Sequence, residues 1–245
     1  MKRLFCLLFF LGLSHPGLGG CIVIVRTEKA IFIGADSKSI TYHYDSTGKK
    51  FIEKSNQLSC SIHKAGKFYF ANTGFAQEQQ IEFAETACKG AKSLEDIRIK
   101  FSELMIKYYE TNLELIRRKN KYFYKEKVEG SFADVAFFTI ENNKPQVMVL
   151  YFNTLNSFLD KVRVGIKPDT ESDIHIMGVA KTAFTMSDEK KNYFERLSIN
   201  EPVQFIQEYI ESEIKSSPEF VGGSIDILQV TVTGDKWIRR KRNCY

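Results

Sequence analysis

Short apolar runs separated by polar breaks predict that the folded part of the chain begins with a hairpin. An apolar run over residues 21–26 is followed by a polar break at 27–30 and a second apolar run over 30–35, a pattern typical of two antiparallel strands. Further strands are predicted over residues 67–71, 133–140, 146–151, 174–178, 224–232 and 237–238, and residues 50–62 are expected to form two more.

Apolar residues at a spacing of three and four predict three long helices. The first runs over residues 75–89, and the second begins at Ser93, with Asp96 three positions on as a capping partner. A last helix is predicted to begin at Ser198, with Glu201 completing a capping box. Strands, two helices, strands, helices and closing strands are the order expected of two antiparallel sheets packed face to face with helices outside. The predicted fold class is therefore α+β, a four-layer α/β/β/α sandwich.

The first twenty residues have the pattern of a signal peptide. Lys2-Arg3 precedes an apolar run over residues 4–13, and residues 14–20 form a tail of mostly small residues broken by Pro16. The apolar run is too short to span a bilayer as a helix. We expect residues 1–20 to be removed and residues 21–245 to form one exported domain, periplasmic or extracellular, because no linker or repeat divides them.

The segment Leu18-Gly19-Gly20-Cys21 also fits a bacterial lipoprotein signal, in which the cysteine becomes acylated. It fits this signal better than an ordinary export site, because Leu18 is bulky where such a site has a small residue. Lipid anchoring through Cys21 is thus an alternative, and membrane contact is expected only in that case. Against it, apolar structure begins at Ile22 and leaves no polar tether.

Charge and cysteine content narrow the classes of function. The net charge of +5 is modest, and the basic run at residues 236–242 is interpreted as a solvated end, so no nucleic-acid partner is expected. Cys60, predicted in a strand, and Cys88, predicted in a helix, are interpreted as small buried hydrophobes. Export permits disulfides, but their pairing with Cys244 or each other stays open. The spacings fit no metal-ligand pattern, and no metal or cofactor is expected.

Three segments resemble the proteasome β subunits and their bacterial relatives. Residues 22–38, which end in Gly-Ala-Asp-Ser-Lys, resemble the family's opening hairpin with its Gly/Ala-Ala-Asp-Ser-Arg ending, and residues 49–54 resemble its Lys-Lys-Val-Ile-Glu segment. Residues 221–227 resemble its Gly-Gly turn before a late strand. The similarity that they mark runs from Cys21 to about Ile238, nearly all of the chain that follows the leader. The resemblance implies an N-terminal-nucleophile (Ntn) hydrolase fold, cutting amide bonds in a peptide or a small amide, and assembly into a homo-oligomer.

The resemblance also implies a site. Cleavage after Gly20 would give Cys21 a free amine beside its thiol, a nucleophile with its own base. Asp36 would orient Lys50, whose charge favours the thiolate. The backbone N–H groups of Thr73 and Gly74 would bind the oxyanion.

Four positions depart from the family's pattern. An ungapped match through Asp36 puts Gly20 rather than Cys21 at the nucleophile position. Where the family has a serine after glycine, an aspartate and a second serine, this chain has apolar residues: Val179, Pro218 and Val221. The alternative is therefore a catalytically inactive protein, lipid-anchored or free, that uses the same fold for binding or assembly.

Overall fold

The computed structural model describes residues 20–44, 51–155, 161–241 and 244. Its strands in these ranges are β1 (Cys21–Arg26), β2 (Ala30–Ala35), β3 (Lys38–Tyr44), β4 (Phe51–Leu58), β5 (Ile62–Ala65), β6 (Phe68–Gly74), β7 (Ser131–Glu141), β8 (Lys144–Thr154), β9 (Val164–Asp169), β10 (Ile174–Gly178), β11 (Asp226–Thr231) and β12 (Gly234–Arg239). Its helices are α1 (Gln77–Cys88), α2 (Leu94–Lys119), α3 (Lys121–Phe123), α4 (Lys181–Thr185), α5 (Asp188–Asn200) and α6 (Pro202–Ser216), and a π-helical turn spans Tyr124–Val128.

The strands form two five-stranded antiparallel sheets and a separate pair. The first sheet, sheet 1, has the order β10-β1-β2-β11-β12, and the second, sheet 2, has the order β5-β6-β7-β8-β9. Strands β3 and β4 pair only with each other among the described residues. All the pairs are antiparallel. In sheet 2 each strand pairs with the next one along the chain, with helices α1 to α3 inserted between β6 and β7, whereas sheet 1 is assembled from distant parts of the chain.

Side chains alternate between the two faces of each strand, and this alternation divides the core into three hydrophobic clusters. In β1, Ile22 and Ile24 point into a cluster shared with Phe138 and Val149 of sheet 2. Helices α1 and α2 pack on the other face of sheet 2. Helices α5 and α6 pack on the other face of sheet 1. The protein is therefore α+β, with two antiparallel sheets and helices, and it is compatible with the predicted sandwich.

Several predicted elements are confirmed closely. Strands β1, β2 and β10 have the predicted bounds, and α2 begins after Ser93, whose side chain and Asp96 form a complete capping box. Helix α1 begins at Gln77, two residues later than expected.

The prediction that Ser198 caps the last helix is wrong. Ser198 lies inside α5, and its hydroxyl donates to the carbonyl of Glu195 at 2.8 Å. Helix α6 begins at Pro202, with Glu201 as its N-cap and no side-chain cap. Proline is well suited to a first helical position, because that residue needs no intrahelical N–H partner.

A disulfide joins Cys60 to Cys244. Cys60 lies in the connection between β4 and β5, so the prediction that it is a hydrophobe in a strand is wrong. Cys88 is a free, buried thiol in α1, as predicted. No helix within the described ranges is long and apolar enough to cross a membrane.

Candidate active site around residue 20

The first two strands bring Cys21 and Asp36 together. Cys21 opens β1 and Asp36 directly follows β2, and the antiparallel register that pairs Ile22 with Ala35 places them opposite each other. The Cys21 N–H donates to Asp36 Oδ1 at 2.7 Å, and the Asp36 N–H donates to the Cys21 carbonyl at 3.1 Å. Lys50, the third predicted residue, lies outside the described residues.

Asp36 connects the start of β1 to the Gly222-Gly223 segment that precedes β11. Its Oδ2 accepts the N–H of Gly222 at 2.8 Å and that of Lys38 at 3.2 Å. Burial raises the pKa of Asp36 to about 6, although these N–H groups, the Cys21 N–H and the charge of Lys241 oppose the rise. The first and third segments of the family resemblance therefore meet at one buried carboxyl group.

The Cys21 thiol lies on the opposite face of β1 from the space between the sheets. Cys21 is completely buried, in the cluster formed by sheet 1 with helices α4, α5 and α6, where Tyr209 and Ile210 also lie. Burial raises the pKa of the thiol well above its usual value, and the charges of Asp36 and Glu213 raise it further. Since the thiolate is the nucleophilic form, this environment disfavours the state in which the sulfur reacts.

Glu213 is a buried carboxyl group on α6 in the same layer as the thiol. Its Oε1 accepts the Thr182 N–H at 2.6 Å, and its Oε2 accepts the Ser216 hydroxyl at 3.2 Å. Burial raises its pKa. Because Thr182 is the second residue of α4, its bond to Glu213 fixes that short helix against α6.

Gly20 is the residue that borders Asp36 and Thr73. A Cβ built on Gly20 would lie 3.2 Å from Asp36 Oδ1 and 3.6 Å from Thr73 Oγ1. The Gly20 N–H donates to the carbonyl of Phe220, and its carbonyl accepts the N–H of Val179, both at 2.9 Å. Gly20 thus continues the pairing of β1, and a side chain here would point to the carboxyl group that Cys21 reaches only through its backbone.

Asp134 is a buried carboxyl group that contacts Gly178, the residue adjoining Gly20, and sequence reasoning missed it. Its Oδ2 accepts the Gly178 N–H at 3.1 Å, and its Oδ1 has no hydrogen-bond partner among the described residues. Burial raises its pKa to about 6. A Cβ on Gly178 would lie only 2.3 Å from the carbonyl oxygen of Gly20. The available signal was a single aspartate in the otherwise apolar run at residues 133–140.

Thr73 and Gly74 are the last two residues of β6, and they pair with Asp134 and Ala133 of β7. The buried Thr73 side chain borders Gly20, so one of the two predicted oxyanion residues lies next to the candidate site. Helix α1 begins three residues after Gly74, and its start is therefore offset from the predicted donors. The role of their backbone N–H groups stays a prediction.

Lys241 is a buried cation close to this site. Its Nζ lies 3.2 Å from Asp226 Oδ2 and donates to the Ser59 carbonyl, and its own N–H donates to Asp226 Oδ1 at 2.7 Å. Only 7% of its side chain is exposed, so the prediction of a solvated basic end is wrong for this residue. Asp226 pairs with Ala35, the residue before Asp36, which explains why the lysine lowers the pKa of that carboxyl group.

Comparison with protein-family models and with curated proteins gave no match for this chain. Within the described ranges, no group of three or more His, Cys, Asp or Glu side chains is arranged to hold a metal ion. The chemistry of the site is therefore inferred from its own side chains.

Proposed function

We propose that the protein is an exported member of the proteasome-like Ntn class that has lost hydrolysis and serves in binding or assembly. The observation that carries the proposal is the orientation of residues 20 and 21. A side chain at residue 20 would point to Asp36 and Thr73, but Gly20 has none. The Cys21 thiol is buried on the other face of sheet 1.

The architecture supports the class. Two antiparallel sheets share one hydrophobic cluster, with helix pairs on both outer faces. Asp36 lies at the end of the second strand and contacts both the start of the first strand and Gly222. The Cys60–Cys244 disulfide is compatible with export, since disulfides persist in oxidising compartments.

Three substitutions support the loss of catalysis. The family's supporting polar groups correspond here to Val179, Pro218 and Val221. Val179 and Val221 are buried in the same helix-facing cluster as the thiol, so they contribute packing and offer no polar side chain. Loss of such supporting groups costs an enzyme orders of magnitude in rate.

A hydrolase that uses Cys21 is the second candidate, and one contact favours it. If the leader were cut after Gly20, the new amine of Cys21 would start 2.7 Å from Asp36 Oδ1. That carboxylate would also hold the amine as ammonium, which makes it a poorer base. Catalysis by this route would need the thiol to leave its cluster, and its substrate would be a peptide or a small amide.

Thiol reactivity and turnover separate the two candidates. The mature protein and a Cys21→Ala variant are compared on a broad set of fluorogenic peptides and small amides, and native labelling by N-ethylmaleimide is followed by mass spectrometry. Cys88→Ala is the matched control, because Cys88 is the other free buried thiol among the described residues. We expect no turnover that depends on Cys21, and labelling of Cys21 only after unfolding. Turnover that Cys21→Ala abolishes and Cys88→Ala keeps would establish the hydrolase instead.

Assembly is the positive part of the proposal. We expect the mature protein to sediment as a homo-oligomer at micromolar concentration, and we expect Cys21→Ala to sediment in the same way. A monomer at all accessible concentrations would remove self-assembly from the proposed function.

A further inference from the structure

The residues before Gly20 fit an ordinary export cleavage site that is one position earlier than the bond before Cys21. Signal peptidases need small residues immediately before the cut and two positions further back. For a cut between Gly19 and Gly20, these positions are Gly19 and Gly17. For a cut before Cys21, the position two further back is the bulky Leu18.

The fold needs Gly20 as part of sheet 1. Its N–H and carbonyl make two hydrogen bonds, to Phe220 and Val179, at 2.9 Å each, and the residue is buried. A chain that begins at Cys21 would lose both bonds and leave the Val179 N–H without this partner. Buried backbone groups are rarely left unpaired, because desolvating them without a partner is unfavourable.

From these two observations we infer that the leader is cut between Gly19 and Gly20, so that Gly20 is the first residue of the mature protein. In the reaction, water adds across the bond between the Gly19 carbonyl carbon and the Gly20 nitrogen. Gly19 leaves as a carboxylate on the released leader, and Gly20 keeps an ammonium group. The catalyst is a signal peptidase of the host.

The new ammonium group fits its surroundings. It can still donate to the Phe220 carbonyl, and the Asp36 carboxyl group borders the same residue to balance its charge. The positive φ of Gly20, 87°, no longer constrains the choice of residue, because a first residue has no preceding carbonyl group. Cys21 then becomes the second residue of the mature chain, with an amide instead of a free amine and no terminal position for lipoprotein acylation.

The first test is the terminus itself. The full chain is exported from a secreting host, purified from the exported fraction, and subjected to N-terminal sequencing and intact-mass measurement. We expect the sequence Gly-Cys-Ile and the corresponding unmodified mass. A terminus at Cys21 or at any other residue, an acylated cysteine or an uncut leader would overturn the inference.

Two leader variants distinguish the neighbouring bonds. Gly17→Leu puts a bulky residue at the position that the proposed cut requires to be small, and we expect the processed fraction to fall by about tenfold or more. Leu18→Phe is the matched control, because it keeps a bulky residue at position 18 and leaves Gly17 and Gly19 in place, and it should leave both the yield and the Gly20 terminus unchanged. Normal processing of Gly17→Leu, or a terminus at Cys21 in Leu18→Phe, would favour the later bond.

A host-independent test compares two proteins released from a cleavable fusion, one beginning at Gly20 and one at Cys21. We expect the Cys21 form to melt lower by roughly 2–6 °C, because it lacks two buried hydrogen bonds. Equal or higher thermal stability of the Cys21 form would contradict the requirement of the fold for Gly20. A Gly20 terminus together with turnover that needs Cys21 would overturn the proposed function but leave this inference intact.

Discussion

Gly20 and Gly178 meet where β1 begins and β10 ends, and Gly178 cannot take a side chain without a shift of the backbone. A Cβ on Gly178 would lie 2.3 Å from the Gly20 carbonyl oxygen and 3.0 Å from Thr73 Oγ1. Real Cβ atoms do not approach backbone this closely, so the strands would have to separate. The contact fixes how near the N-terminal segment lies to Asp134, which accepts the Gly178 N–H.

Gly178→Ala should therefore destabilise the fold by about 3 kcal/mol or more, through both the clash and the positive φ. Gly66→Ala is the control, because Gly66 also has a positive φ, 66° against 78°, but a Cβ there would meet nothing within 4 Å. Its expected cost is about 1 kcal/mol. Urea unfolding measures both, and equal losses would show that backbone strain alone acts at Gly178.

Asp134 should make stability depend on pH. Its folded pKa is about 6, above the usual 3.8, so the folded protein keeps a proton that the unfolded chain has already released between these pH values. Stability therefore falls as pH rises through this window. Asp134→Asn removes the buried charge while its amide oxygen can still accept the Gly178 N–H, and we expect it to be more stable than the wild type by about 2 kcal/mol at pH 8.

The gain should shrink towards pH 4, where the wild-type carboxyl group is protonated in the folded protein. Urea unfolding at pH 4, 6 and 8 provides the measurement. A variant that loses stability at pH 8 would indicate that the carboxylate has a counter-charge in the folded protein.

The sequence predicted that residue 21 and Asp36 meet, but not which way the Cys21 side chain faces. A hairpin of two apolar runs places residue 21 beside Asp36 in any register with a short turn, and this contact is observed. The face is a different matter, because side chains alternate with a period of two and a shift of one residue exchanges the two sides of a sheet. The family match left the nucleophile position uncertain between Gly20 and Cys21, and this difference of one residue left the face unpredicted.

At the scale of elements, prediction succeeded where periodicity or capping was strong. Helix α5 was missed because little of it is apolar and buried, chiefly Phe194 and Leu197. Strand β9 was missed because it contains Pro168, which is unusual inside a sheet. It is tolerated here because β9 is an edge strand.

Ser93 and Ser198 were both predicted to cap a helix, and they should respond differently to substitution. Ser93→Ala removes the hydroxyl that accepts the Asp96 N–H at 3.2 Å and should cost about 1 kcal/mol. Ser198→Ala removes only a bond to the Glu195 carbonyl within its own helix, and we expect a change below about 0.5 kcal/mol. Chemical unfolding of both variants, with helix content followed by circular dichroism, tests the distinction. A larger loss of stability in Ser198→Ala than in Ser93→Ala would indicate that Ser198 is a helix cap.

At the scale of the whole molecule, the Cys60–Cys244 disulfide holds the C-terminal segment against the connection after β4. Lys241 strengthens the same junction through Asp226 and the Ser59 carbonyl. Sequence reasoning could not pair these cysteines, because four candidates allow several connectivities and only the fold brings two of them together.

Replacing both cysteines, as Cys60→Ser with Cys244→Ser, should lower the free energy of unfolding by about 3–5 kcal/mol, because the disulfide closes a long loop in the unfolded chain. Reductant should weaken the wild type by a similar amount and leave the double variant unchanged. Cys88→Ala serves as the control for losing a buried thiol, and it should keep the sensitivity to reductant. Insensitivity of the wild type to complete reduction would contradict a stabilising disulfide.

The same disulfide sets an order of events during biosynthesis. Its two cysteines are 184 positions apart, so under the proposed export Cys60 would have to stay reduced while all of sheet 2 is synthesised and transported. In that case Cys88 would reach the oxidising side long before Cys244, and premature pairing with it would trap a non-native loop. Correct maturation of this protein should therefore depend on a disulfide isomerase, and yield in a secreting host should rise when one is supplied.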